Sequence, residues 1–139
     1  MVDASDPHGS CLCGAINFTI HGSPSTRMMC YCLDCRKNSG HLGQALGLLN
    51  HDQVEIKDPE NNIKEWVITK TSSGSPKRKV FCGRCGSTLM TIPMKHNGEK
   101  VVIRSTLLDE GIEHFLPFDK VLFPDEKEKY LGSCPREYL

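Results

Sequence analysis

Cysteine clustering restricts what this 139-residue chain can fold into more than any other feature of its sequence. Seven of its eight cysteines form the clusters Cys11-x-Cys13, Cys30-x-Cys32-x-x-Cys35 and Cys82-x-x-Cys85, and Cys134 stands alone. Disulfide frameworks usually spread their cysteines more evenly, whereas closely spaced thiolates are typical of zinc sites. The spacing therefore predicts metal binding, in which each ion clamps distant parts of the chain together.

Composition favours a cytoplasmic protein that acts on a small molecule. Residues 1–6 carry acid and no apolar core, so we expect no secretory signal, and no apolar run is long enough to span a bilayer. A reducing compartment agrees with metal-bound rather than disulfide-bonded cysteines. Because 17 Lys and Arg residues balance 17 Asp and Glu residues, net charge does not favour a nucleic-acid or membrane partner. The oligomeric state is left open.

Short apolar segments predict a mainly β domain of antiparallel strands. Ile16, Phe18 and Ile20 alternate with smaller or polar residues, as in a half-buried strand. The other predicted elements are strands near 45–49, 54–57, 66–69, 89–92 and 101–104, an exposed loop at 70–79, and short helical segments at 36–40 and 127–131. We expect one domain over residues 9–139, preceded by a flexible lead-in at 1–8.

Two of the thiol clusters match a closed, structural zinc site. Such sites commonly consist of two cysteine pairs separated by a long insertion, and the four thiolates surround the ion. The pairs here are Cys11 with Cys13 and Cys82 with Cys85. We expect this site to stabilise the fold, because the unfolded chain lacks the assembled ligands.

The third cluster, Cys30, Cys32 and Cys35, supplies one ligand fewer than a tetrahedral ion requires. A zinc ion with three protein ligands keeps its fourth position for water or substrate, as catalytic sites do. Counting therefore predicts two different zinc ions. In one alternative, Cys134 supplies the fourth ligand, so that this site is structural too. In another, the protein is a non-catalytic, zinc-stabilised protein-binding module in which the three-thiol site is structural.

Three thiolates make zinc a weak Lewis acid that suits a soft ligand such as a substrate thiol, which could then attack an aldehyde. Arg36 and Lys37 follow the third thiol. They could offset the negative charge of the three-thiolate zinc site or hold a substrate carboxylate. The candidate proton carriers are Tyr31, Asp34 and His41, which lie near the cluster in sequence, and the more distant His114.

Three blocks of sequence resemble the glutathione-dependent formaldehyde-activating enzyme and centromere protein V family. The blocks are Gly9-Ser10-Cys11-Leu12-Cys13-Gly14, Cys30-Tyr31-Cys32-Leu33-Asp34-Cys35-Arg36-Lys37-Asn38-Ser39-Gly40 and Phe81-Cys82-Gly83-Arg84-Cys85-Gly86. The segment Ser105-Thr106-Leu107-Leu108-Asp109 resembles the family's Thr-Leu-Asp segment. Two positions depart from the family pattern. Tyr31 replaces a frequent His, and a C-terminal His is missing, for which Asp119 or His114 would substitute.

The resemblance implies a small zinc-stabilised β domain of the β-tent type and the same two zinc sites. It also implies a carbon–sulfur lyase with glutathione as co-substrate, after the family reaction that joins glutathione and formaldehyde as S-hydroxymethylglutathione. A second enzyme hypothesis is a zinc enzyme of small-molecule biosynthesis that catalyses dehydration, elimination or hydrolysis.

Overall fold

Two β-sheets form most of the fold. The computed structural model describes residues 6–71 and 73–131. Its strands are β1 (His8–Ser10), β2 (Asn17–Ile20), β3 (Thr26–Cys30), β4 (Gln44–Asn50), β5 (Val54–Lys57), β6 (Ile63–Ile68), β7 (Lys77–Cys82), β8 (Thr88–Pro93), β9 (Lys100–Arg104) and β10 (Lys120–Leu122). The helices are α1 (Leu33–Ser39) and α2 (Pro124–Leu131). Neither helix has the length and apolar character that crossing a membrane requires.

The smaller sheet has the strand order β1-β2-β5, and the larger has the order β10-β3-β4-β9-β8-β7-β6. Neighbouring strands are antiparallel, except that β10 pairs with β3 in parallel. The prediction of a mainly β fold of short strands is confirmed, and the parallel pair is the exception to its antiparallel part.

Apolar residues from both sheets form one buried cluster. Phe18 and Ile20 of β2 belong to the same buried cluster as Val101 and Ile103 of β9 and other side chains of the larger sheet. Phe115 is fully buried and lies directly over Gly47 of β4, where an added Cβ would be 1.7 Å from the Phe115 ring. Position 47 therefore requires glycine, because any side chain would occupy the space of the ring.

The structure corrects several predicted boundaries. The lead-in predicted for residues 1–8 ends too late, because His8 starts β1 and pairs with Thr19. The loop predicted at 70–79 ends earlier, since β7 starts at Lys77. Strand β10 was not predicted, because it is only three residues long and gains its order from backbone pairing with β3. Residues 1–5 and Cys134 lie outside the described residues.

His21, just after β2, bridges two carboxylates that are distant in sequence. Its Nδ1 lies 2.9 Å from Asp6 Oδ2, and its Nε2 lies 3.0 Å from Glu55 Oε2. These contacts, with Glu55 first and Asp6 second, raise the pKa of His21 above its ordinary value. Protonated His21 thus attaches the segment before β1 to β5.

We expect this bridge to make stability depend on pH. Because the folded-state pKa is raised, the contribution is fully present below the unfolded value of about 6.5 and is lost as the pH rises through the folded value. Between about pH 6 and pH 9, the Tm of the wild type should fall more than that of His21→Gln. The control is His51→Gln, since His51 contacts the carbonyl of Gly98 and no carboxylate in the described chain. Parallel Tm profiles for wild type and His21→Gln would contradict the prediction.

Candidate metal centres and the cavity between them

Four cysteines from two distant parts of the chain meet in the fold. Cys11 and Cys13 lie in the turn between β1 and β2, while Cys82 ends β7 and Cys85 lies in the turn before β8. The four sulfur atoms all lie within 4.8 Å of one another. The structure thus brings together the four residues that the spacing paired, and we call them the four-thiol cluster.

The sulfur separations fit a metal ion and exclude a disulfide. Cys11 Sγ and Cys13 Sγ are 3.6 Å apart, and Cys13 Sγ and Cys82 Sγ are 3.8 Å apart. Four sulfurs about 2.3 Å from a central zinc ion, at the corners of a tetrahedron, would be roughly 3.8 Å from each other. A disulfide would require about 2.05 Å. The donor set and its spacing therefore suit Zn²⁺.

Local backbone geometry prepares this cluster. The Ile16 N–H donates to Cys11 Sγ over 3.4 Å, and Cys85 Sγ lies 3.3 Å from Ser87 Oγ. Gly86 follows Cys85 with a φ of +81°, a conformation that a residue with a Cβ rarely adopts. Such turns direct N–H and O–H groups toward the sulfurs, where they stabilise negative charge.

The three-thiol cluster forms where β3 enters helix α1. Cys30 ends β3, Cys32 is the N-cap of α1, and Cys35 lies in its first turn. Cys32 Sγ accepts a hydrogen bond of 3.3 Å from the Cys35 N–H, and the three sulfurs lie within 4.8 Å of one another. Gly40 ends the helix in a left-handed conformation. Among the described residues, this cluster offers three thiols that also could hold a metal ion.

The thiols of each cluster shift one another's acidity. The Cys35 side chain, through its hydrogen bond, contributes most to lowering the pKa of Cys30 to about 6. The same contact, followed by burial, raises the pKa of Cys35. In the four-thiol cluster burial opposes ionisation of Cys85, but hydrogen bonds from Ser87 and neighbouring groups lower its pKa to about 5. A metal ion would release the remaining protons, because only thiolates act as ligands.

A buried cation lies near the three-thiol cluster. Arg104, at the end of β9, is 6% exposed, and its Nη2 donates to Thr91 Oγ1 over 2.8 Å. Burial lowers the pKa of Arg104 to about 10, while the charges of Cys35, Cys30 and Cys32 oppose that shift. Arg104 therefore remains charged at neutral pH and partly balances the thiolates.

A cavity of about 350 Å³ lies between segments that follow the two clusters. Asn38 and Ser39 of α1 contribute to it from one side, and Ser87 and Thr88 contribute from the other. Thr88 Oγ1 donates to Asn38 Oδ1 over 3.2 Å and so joins the two segments. The full lining is Met29, Asn38, Ser39, His41, Gly43, Gln44, Ala45, Ser87, Thr88, Arg104, Thr106 and Leu107. Its volume suits a small ligand.

The candidate proton carriers differ in whether they line the cavity. His41 lines the cavity, whereas Tyr31 is buried with its ring near Gly43 and Asp34 is exposed. His114 Nε2 lies 3.0 Å from the Gly22 carbonyl oxygen, and Asp119 Oδ2 accepts from the Arg27 N–H. His41 is thus the one of these five groups that lines this cavity.

The proposed anion-binding residues Arg36 and Lys37 both lie in the last turn of α1. Lys37 is exposed and Arg36 is half-buried, and neither is among the described residues that line the cavity. Sequence reasoning instead missed Arg104 and Gln44, which do line it. A single charge ending the apolar run Val101-Val102-Ile103 was the available signal for Arg104.

Three comparisons relate the chain to known proteins. The family described as glutathione-dependent formaldehyde-activating enzyme matches residues 6–124. A Halomonas elongata protein named "Putative glutathione-dependent formaldehyde-activating enzyme" is 33% identical over 84 residues, which are 58% of this chain and 52% of that protein. The chain therefore matches about half the length of this curated relative. The crystal structure of a Rhodobacter sphaeroides protein is similar in fold, with a TM-score of 0.60 at 16% identity over 82% of this chain and 98% of that one.

Proposed function

This chain belongs to the glutathione-dependent formaldehyde-activating enzyme family, and on that premise we propose that it is a zinc-dependent enzyme that joins a thiol to a small aldehyde. The prototype pair would be glutathione and formaldehyde, and the reverse reaction is that of a carbon–sulfur lyase. The observation that carries the proposal is the pair of unequal thiol clusters, one with four sulfurs and one with three. Both sites would belong to one domain in a reducing, cytoplasmic compartment.

The four-thiol cluster would have a structural role. Its sulfurs come from turns more than sixty residues apart in sequence, so an ion bound there closes a long loop. Cys11 and Cys82 are buried, and four thiolates leave no position for a substrate. We therefore assign Cys11, Cys13, Cys82 and Cys85 to stability rather than chemistry.

The three-thiol cluster would hold the second ion at the reaction site. Cys30, Cys32 and Cys35 would hold this zinc ion, which would supply a Lewis acid to the reaction. Arg104 lies close enough to interact electrostatically with all three thiols, and it lowers the cost of keeping three negative charges together. Helix α1 fixes Cys32 and Cys35 in one turn, which keeps the cluster ordered for a substrate.

The chemical step would be addition of sulfur to the carbonyl carbon. One carbon–sulfur bond forms, the carbonyl π bond breaks, and the proton of the thiol passes to the carbonyl oxygen. His41 lines the cavity and is a suitable carrier for that proton, because the two imidazole nitrogens can donate or accept one. No oxidant or reductant is needed, since the atoms of thiol and aldehyde are all retained in the product.

Metal content tests the proposal together with activity. We expect two zinc ions per chain. A chelator should remove one of them while the circular dichroism spectrum remains that of the folded protein. Loss of that ion should abolish the accelerated exchange between formaldehyde and the thiol adduct, measured by exchange NMR, and added zinc should restore it. One ion per chain, or loss of both ions together with unfolding, would favour the non-catalytic binding module instead.

A further inference from the structure

Strand β6 is an edge of the larger sheet, so one of its sides pairs with β7 and the other is open. The Gly83 N–H donates to the Asn62 carbonyl oxygen over 2.7 Å, which identifies residue 62 as bonded toward the β7 side. The direction of hydrogen bonding alternates along an antiparallel strand. The N–H and C=O groups of Glu65 and Val67 therefore point away from the sheet.

Asp58 closes one end of this open side. Its carboxylate accepts hydrogen bonds from the N–H of Asn62 over 2.8 Å and from the N–H of Ile63 over 2.9 Å. Within the described part of the chain, no side chain accepts from the N–H of Glu65 or Val67 in the same way. Both residues can therefore pair with the backbone of a further strand.

The side chains beside the open edge form a basic and aromatic face. Trp66 lies opposite Lys79 across β6 and β7, and Lys64 lies opposite Phe81, so these four side chains share one face of the sheet. Lys77, two residues before Lys79, is on the same face. Trp66 is 67% exposed, and the three lysines form no ion pair with any described residue. This face thus has exposed apolar surface and unpaired positive charge.

The charge of this region decides which kind of strand can pair with β6. Residues 64–84 contain one acid, Glu65, whose side chain lies on the opposite face and pairs with Arg78. The six cations of the same stretch are Lys64, Lys70, Lys77, Arg78, Lys79 and Arg84. Pairing of β6 with β6 of a second copy would bring two such basic regions together, and like charges repel. An acidic strand would instead be attracted.

We propose that the open side of β6 binds an extended acidic segment of another protein, which adds an eighth strand to the seven-stranded sheet. Its backbone pairs with Glu65 and Val67, its acidic side chains lie on the face of Lys64 and Lys77, and an apolar side chain between them packs on Trp66. A nucleic acid has no backbone N–H and C=O groups with which to pair this edge. The inference does not depend on the proposed reaction, because β6 contributes no residue to the thiol clusters or to the cavity lining.

NMR titration of the zinc-loaded, isotope-labelled full chain with a short acidic peptide tests the proposal. The peptide alternates glutamate and threonine, with a valine in place of its central glutamate. We expect amide exchange to slow at Glu65 and Val67 and to stay unchanged at Trp66, whose N–H already faces β7. The same peptide with N-methylated threonines should not bind, because it lacks the N–H groups that face β6.

Val67→Pro tests the same contact from the side of the protein. An edge strand tolerates proline where the N–H points outward, so the circular dichroism spectrum should stay that of the wild type. We expect Kd for the acidic peptide to rise on the order of 10-fold, since one backbone donor is lost. Val67→Thr is the matched control, because it keeps the N–H. Lys64→Glu should also weaken binding, and less so at high salt.

Four results would overturn the inference. The first is an unchanged Kd for the N-methylated peptide, a result that does not depend on the folding of any variant. The second is binding of a peptide with lysine in place of glutamate as tightly as the acidic one. The third is tighter binding of single-stranded oligothymidylate to the face of Trp66, which would identify a nucleic-acid surface. The last is slow exchange at Glu65 and Val67 that depends on protein concentration without peptide, which would identify pairing between copies of this chain.

Discussion

Cys82→Ser is expected to leave the chain unfolded at 25 °C. Cys82 is fully buried at the end of β7, and its sulfur lies 3.8 Å from that of Cys13. A structural zinc site contributes about 10–16 kcal/mol of binding free energy to folding, as much as the whole net stability of an ordinary domain. Serine is a poor zinc ligand and leaves a buried hydroxyl. We expect loss of the β-sheet signal in far-ultraviolet circular dichroism and loss of cooperative thermal unfolding.

Removal of metal should reproduce the effect in the wild type. Strong chelation under reducing conditions is expected to act in two stages. The ion of the three-thiol cluster should leave first, with no change in circular dichroism, and loss of the ion of the four-thiol cluster should then unfold the chain. The matched variant is Cys35→Ser, which removes a thiol from the other cluster and should remain folded. If Cys82→Ser kept the wild-type Tm, the four-thiol cluster would not stabilise the fold, and our assignment of its role would be rejected.

Cys32→Ser is expected to abolish activity without unfolding the chain. Cys32 caps helix α1 by accepting a hydrogen bond from Cys35, and serine is also a favourable N-cap residue. The helix should therefore persist while the second metal is lost. Removing a residue that hydrogen-bonds to a metal ligand typically lowers metal affinity or activity about 10–100-fold. Removing a ligand itself should therefore lower kcat/KM by at least about 100-fold.

Metal analysis, circular dichroism and exchange NMR on the same Cys32→Ser sample check this expectation. Cys134→Ser is the control, because it removes a thiol that the two-site assignment does not use. A folded, fully active Cys32→Ser variant would show that the three-thiol cluster has no catalytic role. Loss of the second ion in Cys134→Ser would instead identify Cys134 as its fourth ligand and favour the structural alternative.

Strand positions were predictable where one side of the strand is buried. Phe18 and Ile20 of β2 and Val54 of β5 alternate with more polar residues, and this alternation predicts a strand with one buried side. Strands β1 and β10 have three residues each, and their order comes from backbone hydrogen bonds to β2 and β3. Backbone pairing does not require particular side chains, so the sequence pattern did not predict these two strands.

The sequence by itself determined the ligand chemistry. Cysteines two or three residues apart must lie close together wherever the turn forms, so the two pairs and the triple of thiols could be read directly. Only the tertiary structure showed that Gln44 and Arg104, sixty residues apart, line one cavity, and that Gln44 pairs with Cys30 across β3 and β4. A single polar residue in an apolar strand has no periodic signal. Its neighbours are set by which strands pair and in which register, and those long-range contacts depend on the packing of the whole chain.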